Sequence, residues 1–224
     1  AAAGDAQTTT AAATEPGSLP EVSVTAMGYS AATAETPASV DVITATDIQR
    51  KGATTLGQAL VGEPGLAATS DGAPNMNPVV RGLKKESLVL MVDGMRVNSA
   101  QPYGAISSFV SLGLAERVEV LKGPASVLYG SGALGGAVNV LLPQARFDAG
   151  VSGRLGLRAA SGDRSFGGSA VVNWSAGDHA LMLGAAGADY GDYRAGGDRI
   201  DRTGYDSAAL IGQYRYRIDG AQQI

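Results

Sequence analysis

The sequence predicts an α+β fold, a small mixed sheet with short helices over residues 36–145, followed by antiparallel strands from residue 146 onward. Three observations carry this. Between 36 and 145, short β-branched runs alternate with capped helical segments. The charge vocabulary then changes: no Glu follows Glu119, no Lys follows Lys122, and later formal charges are Arg or Asp. Beyond that border, long segments alternate apolar and polar residues with period two. Hydrophobic residues make up 45% of the 224, too many for a disordered chain. The 32 glycines show no Gly-X-Y period and exclude collagen. A net charge of −4 opposes a nucleic-acid binder held by electrostatics. With no cysteine and only His179, disulfide frameworks, thiol chemistry, most catalytic triads and His-cluster metal sites fall away. No apolar run approaches the ~18 residues of a membrane helix.

Residues 1–20 are Ala, Thr, Gly and Pro with almost no large apolar side chain, the composition of a flexible leader. Glu21 to Met27 then alternates as a short strand with nothing nearby to pair with. Ser39 to Ile43 is expected to be a strand. Thr46 and Asp47 signal a helix start that Gly52 closes, and a second helix begins at Thr54 and breaks at Pro64-Gly65. Val79 to Arg81 and Leu88 to Val92 are β-rich, with Asp93-Gly94 as the turn after the second. Arg117 to Leu121 alternates as a strand, Pro124 opens a short helix ending at Gly130, and Ala137 to Leu142 is a last apolar strand.

In the final zone Val151, Gly153, Leu155, Leu157 and Ala159 share one face, with Ser152, Arg154 and Arg158 on the other. Ala170, Val172 and Trp174 repeat this, as do Leu210, Tyr214, Tyr216 and Ile218 opposite Gln213, Arg215 and Arg217. His179 to Tyr190 is apolar on both faces and leaves its register open. A tight link at Ala176 to Asp178 contrasts with a long polar one from Gly191 to Asp206. Such strands fit an outer-membrane β-barrel, and a soluble antiparallel sheet equally.

Gly130 to Gly135 spells G-x-G-x-x-G, which suggests a nucleotide-binding soluble enzyme. That chemistry needs a helix after the glycines, and an acid about 20 residues on. The residues that follow, Gly136 to Pro143, are β-branched and stopped by proline. The glycines are therefore expected to let backbone pass close to another wall.

Val79-Val80-Arg81-Gly82-Leu83, Leu88 to Val97, Ala115 to Gly130 and Gly135 to Val140 resemble, in order, the plug of TonB-dependent outer-membrane receptors. Pro37 to Ile43 and Gly52 to Gly65 fit the plug's opening segment. The resemblance covers residues 21–145 by motif and 146–224 by pattern. It implies a flexible leader over 1–35, a plug domain over 36–145, and about four strands of an incomplete transmembrane β-barrel over 146–224.

The resemblance further implies that Glu21, Val22, Ser23, Val24, Thr25 and Ala26 form the TonB box, an extended segment that adds a strand to a partner's sheet edge. Arg81 and Lys122 stand where family members carry basic residues that lock the plug to acidic residues of the barrel wall. Ligand contacts are expected on outer plug loops, roughly Asp71 to Pro78 and Asn98 to Ser108, with Asn75, Met76, Asn77, Gln101 and Tyr103 as the candidates. No catalytic residue, cofactor or resident metal is implied, and a lone Met76 is poor support for copper.

The function implied is energised uptake at the outer membrane of a Gram-negative bacterium. A scarce nutrient, by the family's commonest use a ferric siderophore, would be bound and passed to the periplasm as the plug is remodelled. Haem, cobalamin, copper chelates and glycans are alternative cargoes. The implied partners are TonB (with ExbB and ExbD behind it), a metal chelate or similar small molecule, and outer-membrane lipid, but no nucleic acid. Only about 20 residues precede the box, so transport without a signalling domain is expected. With about 22 strands needed to hold a plug, the chain is expected to be an N-terminal piece of a longer receptor.

Overall fold

The computed structural model describes residues 23–24, 31–32, 39–70, 76–98, 110–148 and 150–218. Two sheets and a helical pair make up the first body. Strands β3 (Ser39–Thr44), β7 (Leu88–Val92), β8 (Met95–Arg96), β9 (Arg117–Lys122) and β10 (Gly136–Leu141) form one sheet in the order β3-β9-β10-β7-β8. Only β10 and β7 run parallel, so the sheet is mixed. Both of its faces are covered. Ile43, Val118, Val120, Val138 and Val140 pack into one core with the helices, while Val89, Met91, Leu121 and Ala137 pack against Ala125 and Ala133.

Helix α1 (Ala45–Lys51) starts two residues earlier than its threonine pattern predicts. Thr44 caps it, accepting from Asp47 N, and the Asp47 carboxylate receives the Thr44 amide and hydroxyl in return. Those hydrogen bonds hold the Asp47 carboxyl below its ordinary pKa. Gly52 ends the helix at φ 61°, a left-handed cap suited to glycine. Helix α2 (Leu56–Leu60) repeats the device with Thr55 and Gln58. The Lys51 ammonium then donates to Ala59 O and Val61 O and pairs with Glu63 at 2.8 Å, closing the helical pair with a cation at α2's carbonyl end.

A three-stranded sheet, β4 (Leu66–Ser70), β5 (Met76–Val80) and β6 (Leu83–Lys84), packs beside α2. Gly57 permits this: a Cβ there would lie 2.6 Å from Met76 O. Arg81-Gly82 and Asp93-Gly94 each join paired strands through two residues of positive φ, the geometry of type I′ hairpins.

The second body is a four-stranded antiparallel meander of β11 (Gly150–Ala160), β12 (Ser165–Ala176), β13 (His179–Tyr190) and β16 (Tyr205–Tyr216). The apolar residues predicted to share a face do so. On the outward face Leu155 is 74% exposed and Leu210 84%. The register of β13 is settled by packing: Ala180 and Met182 are buried inward, whereas Leu183 points out. A small hairpin, β14 (Arg194–Ala195) with β15 (Asp198–Arg199), occupies the polar stretch after β13. The sequence marks that stretch only as a loop, because two-residue strands carry no periodicity.

Candidate functional site at the stopper–wall interface

The first body sits against the inner face of the meander, and their contact divides into a bonded side and an open side. On the bonded side, residues 143–148 run along the wall. Gln213 Oε1 accepts from Ala145 N at 2.6 Å, and Arg215 Nη1 donates to Ala145 O at 3.1 Å. Asn173 takes both roles: its Oδ1 accepts from Arg146 N at 3.1 Å and its Nδ2 donates to Gln144 O at 3.3 Å. Ser175 Oγ donates to Asp148 O, and Arg217 lies over the Phe147 ring, 4.2 Å from its centre. Beneath these bonds Leu114, Ala145, Val171, Ala180 and Met182 form an apolar seal. Inward polar residues on otherwise apolar strands were the sequence signal for Gln213 and Arg215, but their backbone partners in 143–148 carried none.

On the open side, helix α1 and the link 52–55 that follows it face β11–β13 and β16 across a cavity of 720 Å³. Arg154 Nη2 donates to Ala115 O at 3.2 Å near the cavity floor. Tyr190 and Tyr205 stack 4.3 Å apart at the outer end, and the Tyr205 and Thr54 side chains are hydrogen-bonded. The loop Val110 to Ala115 closes in on the wall where residues are small: a Cβ on Gly113 would lie 3.1 Å from the Ala186 Cβ.

The expected site residues fall in several places. Of the proposed TonB box, Ser23–Val24 is described, as a two-residue strand paired with Ala31–Ala32. This corrects the expectation that the segment has nothing nearby to pair with. Glu21, Val22, Thr25 and Ala26 lie outside the described residues, as do Asn75, Gln101 and Tyr103. Met76 and Asn77 belong to strand β5 rather than to a loop, opposite Ser70 and Thr69. Asn77 is only 6% exposed, so pairing with β4 has drawn it inside.

Lys122 also differs from its expected role. Its ammonium contacts both Asp41 carboxylate oxygens at 2.8 Å and Pro64 O at 3.3 Å, all within the first body, because β3 and β9 are neighbours. Arg81 sits exposed in its hairpin turn, donates its amide to Gly65 O, and forms no ion pair among the described residues.

Asp93 works as a structural joint. Its carboxylate accepts from Leu142 N at 2.9 Å, while Asn139 Oδ1 receives Gly94 N at 3.0 Å. Burial raises the Asp93 pKa above its ordinary value despite the Leu142 hydrogen bond. The glycine cluster is structural too. Gly130, Gly132 and Gly136 all have positive φ, and a strand, β10, follows them instead of a helix. A Cβ on Gly136 would collide with Leu121 O, and Gly123 N donates to Gly135 O. The nucleotide reading is overturned on this geometry.

A stopper bonded to the inner face of a β-sheet, whose outer face is apolar, defines the plugged-barrel class of membrane protein. Residues 32–137 match the TonB-dependent Receptor Plug Domain, and this part of the chain belongs to that family, which is non-enzymatic. The chain is 27% identical over 212 residues to the vitamin B12 transporter BtuB of Vibrio vulnificus, covering 91% of this chain and 33% of that protein. It is 36% identical over 170 residues to the hemin receptor of Yersinia pestis, covering 71% and 24%. The pyoverdine receptor FpvA of Pseudomonas aeruginosa, solved with pyoverdine, shares the fold with a TM-score of 0.75 at 19% identity, over 90% of this chain and 28% of that one. The chain thus spans a third or less of the length of these relatives.

Proposed function

We propose that this chain is the plug and the first wall strands of an energised outer-membrane uptake receptor, and that its cargo is a ferric siderophore. The observation that carries the reading is the stopper seated on the inner face of a meander whose outer face is apolar, since such a body closes a pore until work moves it. An exposed apolar face with strands of 11 or 12 residues suits a lipid solvent. Trp174, His179, Tyr214 and Tyr216 gather at one end of that face, with His179 Nδ1 and Tyr214 Oη 2.6 Å apart, as an aromatic belt at a membrane boundary would.

The outer membrane holds no nucleotide supply, so the work arrives mechanically. TonB, driven by ExbB and ExbD, takes Glu21 to Ala26 as an added strand, after the two-residue pairing with Ala31–Ala32 gives way. The leader and box then lie in the periplasm. Arg81, with no ion pair among the described residues, faces an acidic wall residue when the barrel closes. Lys122 acts through Asp41, holding β9 against β3. Asn75, Met76, Gln101 and Tyr103 supply ligand contacts, and Asn77 fixes the strand that carries Met76. The relative named for pyoverdine supports the siderophore class, while those named for vitamin B12 and hemin support the cobalamin and haem alternatives.

The test is uptake of radiolabelled iron from a panel of ferric siderophores and haem by cells with and without the gene. Val24→Pro removes a backbone donor from the added strand. It is expected to abolish uptake while leaving cargo bound at the cell surface. Undiminished uptake by that variant excludes TonB coupling.

A further inference from the structure

We infer that the cavity between helix α1, with the link 52–55, and the wall is a binding site for an anionic ligand, held by Arg154 and Arg158. The inference rests on the receptor reading for the ligand's role as cargo, but not for the binding itself. At 720 Å³ the space lies within the range of about 300–1,000 Å³ typical of small-molecule sites.

The wall keeps this volume open by design of its register. Gly156 is opposite Ser169, Ser169 opposite Ala186, and Ala186 opposite Ala209, a row of small residues crossing all four strands. Such a row alone is only a thin wall. The charge placed beside it gives the space a chemistry. Arg154 and Arg158 flank Gly156 on the inward alternation of β11, about 13 Å apart along a strand that rises roughly 3.3 Å per residue. Between them Gln49 reaches from α1 toward the wall, its Nε2 3.6 Å from where a Gly156 Cβ would stand.

Neither arginine forms an ion pair among the described residues. Of five N–H donors each, among the described residues Arg154 uses one on Ala115 O and Arg158 one on Ser165 Oγ at 3.3 Å. Arg158 also lies 5.5 Å from the centre of the Tyr190 ring, which fixes its direction. Of the nearby carboxylates, Asp163 attracts Arg158 electrostatically but forms no ion pair with it. Asp206 borders the cavity from the outward alternation of β16, on the other side of the sheet. Asp163, in the turn beyond Arg158, accepts from Ser165 N at 3.1 Å and Ser165 Oγ at 2.6 Å. Two part-buried guanidinium groups, neither of them ion-paired among the described residues, select an anion of extended shape, such as a polycarboxylate or an anionic metal chelate.

The experiment uses the purified full-length receptor in detergent, with citrate as the anionic probe and choline as the cationic control, read by titration calorimetry. Citrate is expected to bind and choline not, with affinity falling as salt rises. Arg154→Gln and Arg158→Gln should each weaken citrate about tenfold, and the pair about a hundredfold. Arg158→Lys should recover part of the loss, and protease resistance of the plug reports that each variant is folded. Citrate binding that ignores both arginines, an absence of binding, or equal binding of choline overturns the inference. Uptake by the Val24→Pro variant is scored separately: if transport persists there while citrate binding still follows the arginines, the energised-receptor reading fails and the anion site stands.

Discussion

The plug sheet and the wall sheet are both antiparallel-rich and both dense in Val, Leu and Ala, yet they are built for opposite surroundings. In the plug, Val118 and Val120 face one core while Leu121 and Val89 face another, so apolar residues occupy both sides. In the wall, Leu155, Leu157 and Leu210 face outward without cover, and the inner side carries Arg154, Asn173, Gln213 and Arg215. The plug excludes water by enclosing itself. The wall turns the ordinary arrangement inside out, apolar where a water-soluble sheet would be polar, and its polar face finds partners in the plug.

One apolar-to-charged change on each sheet separates the two designs most sharply. Val120→Asp in the plug puts an unpaired carboxylate in a closed core, and is expected to cost more than about 4 kcal/mol. Loss of protease-resistant plug in outer-membrane preparations is the readout. Leu155→Arg, at the middle of β11, is expected to cost about 2–4 kcal/mol in lipid bilayers. It should cost markedly less in detergent that follows the side chain, as urea unfolding in the two media would register. Equal penalties in both media would place Leu155 away from lipid.

Asn173→Ala addresses the seam between the sheets. It strips partners from Arg146 N and Gln144 O, with an expected cost of about 1–3 kcal/mol concentrated in the exit segment. Amide exchange at residues 144–146 should accelerate while that of β9 and β10 is unchanged. A uniform rise across the plug would show the seam to be part of the plug's own core.

The smallest effect is local and depends on pH. Asp192 accepts from Arg199, from Thr203 N and from Gly204 N, and Arg199 leads in lowering its pKa to about 2. A lowered carboxyl pKa adds stability that is complete above the unfolded value, near 3.9, and lost as pH falls toward 2. Protection of the Thr203 and Gly204 amides should therefore hold from neutral pH to about 4 and decay below it, a loss Asp192→Ala would show at neutral pH. Decay centred near pH 6 would point to a different titrating group.

Much of this was legible in the residues. Period-two alternation revealed the wall faces, and Asp93-Gly94 announced its turn, because both depend on local chemistry. The buried state of Glu119 was not legible. Alternation in β9 puts Glu119 on the face opposite Val118 and Val120, but the segment from Pro124 to Gly135 folds back over that face. Glu119 is fully enclosed with Arg117 Nε 2.8 Å away. The cap of α1 shifted from Thr46 to Thr44 for a similar reason: the partner of Asp47 was a choice between two threonines that only the geometry of β3 decides. At the site, the inward arginines and Gln213 could be read as a polar stripe. Their partners, Ala115 O, Ala145 N and Ala145 O, are backbone groups without a side-chain signature.

The seam at Ala145 also imposes an order of events at birth. Its amide waits for Gln213, 68 residues further along, and its carbonyl for Arg215, 70 residues away. A ribosome delivers Ala145 before either acceptor or donor exists. The stopper therefore begins with its last joint unmade, and the wall strand that carries Gln213 and Arg215 completes it.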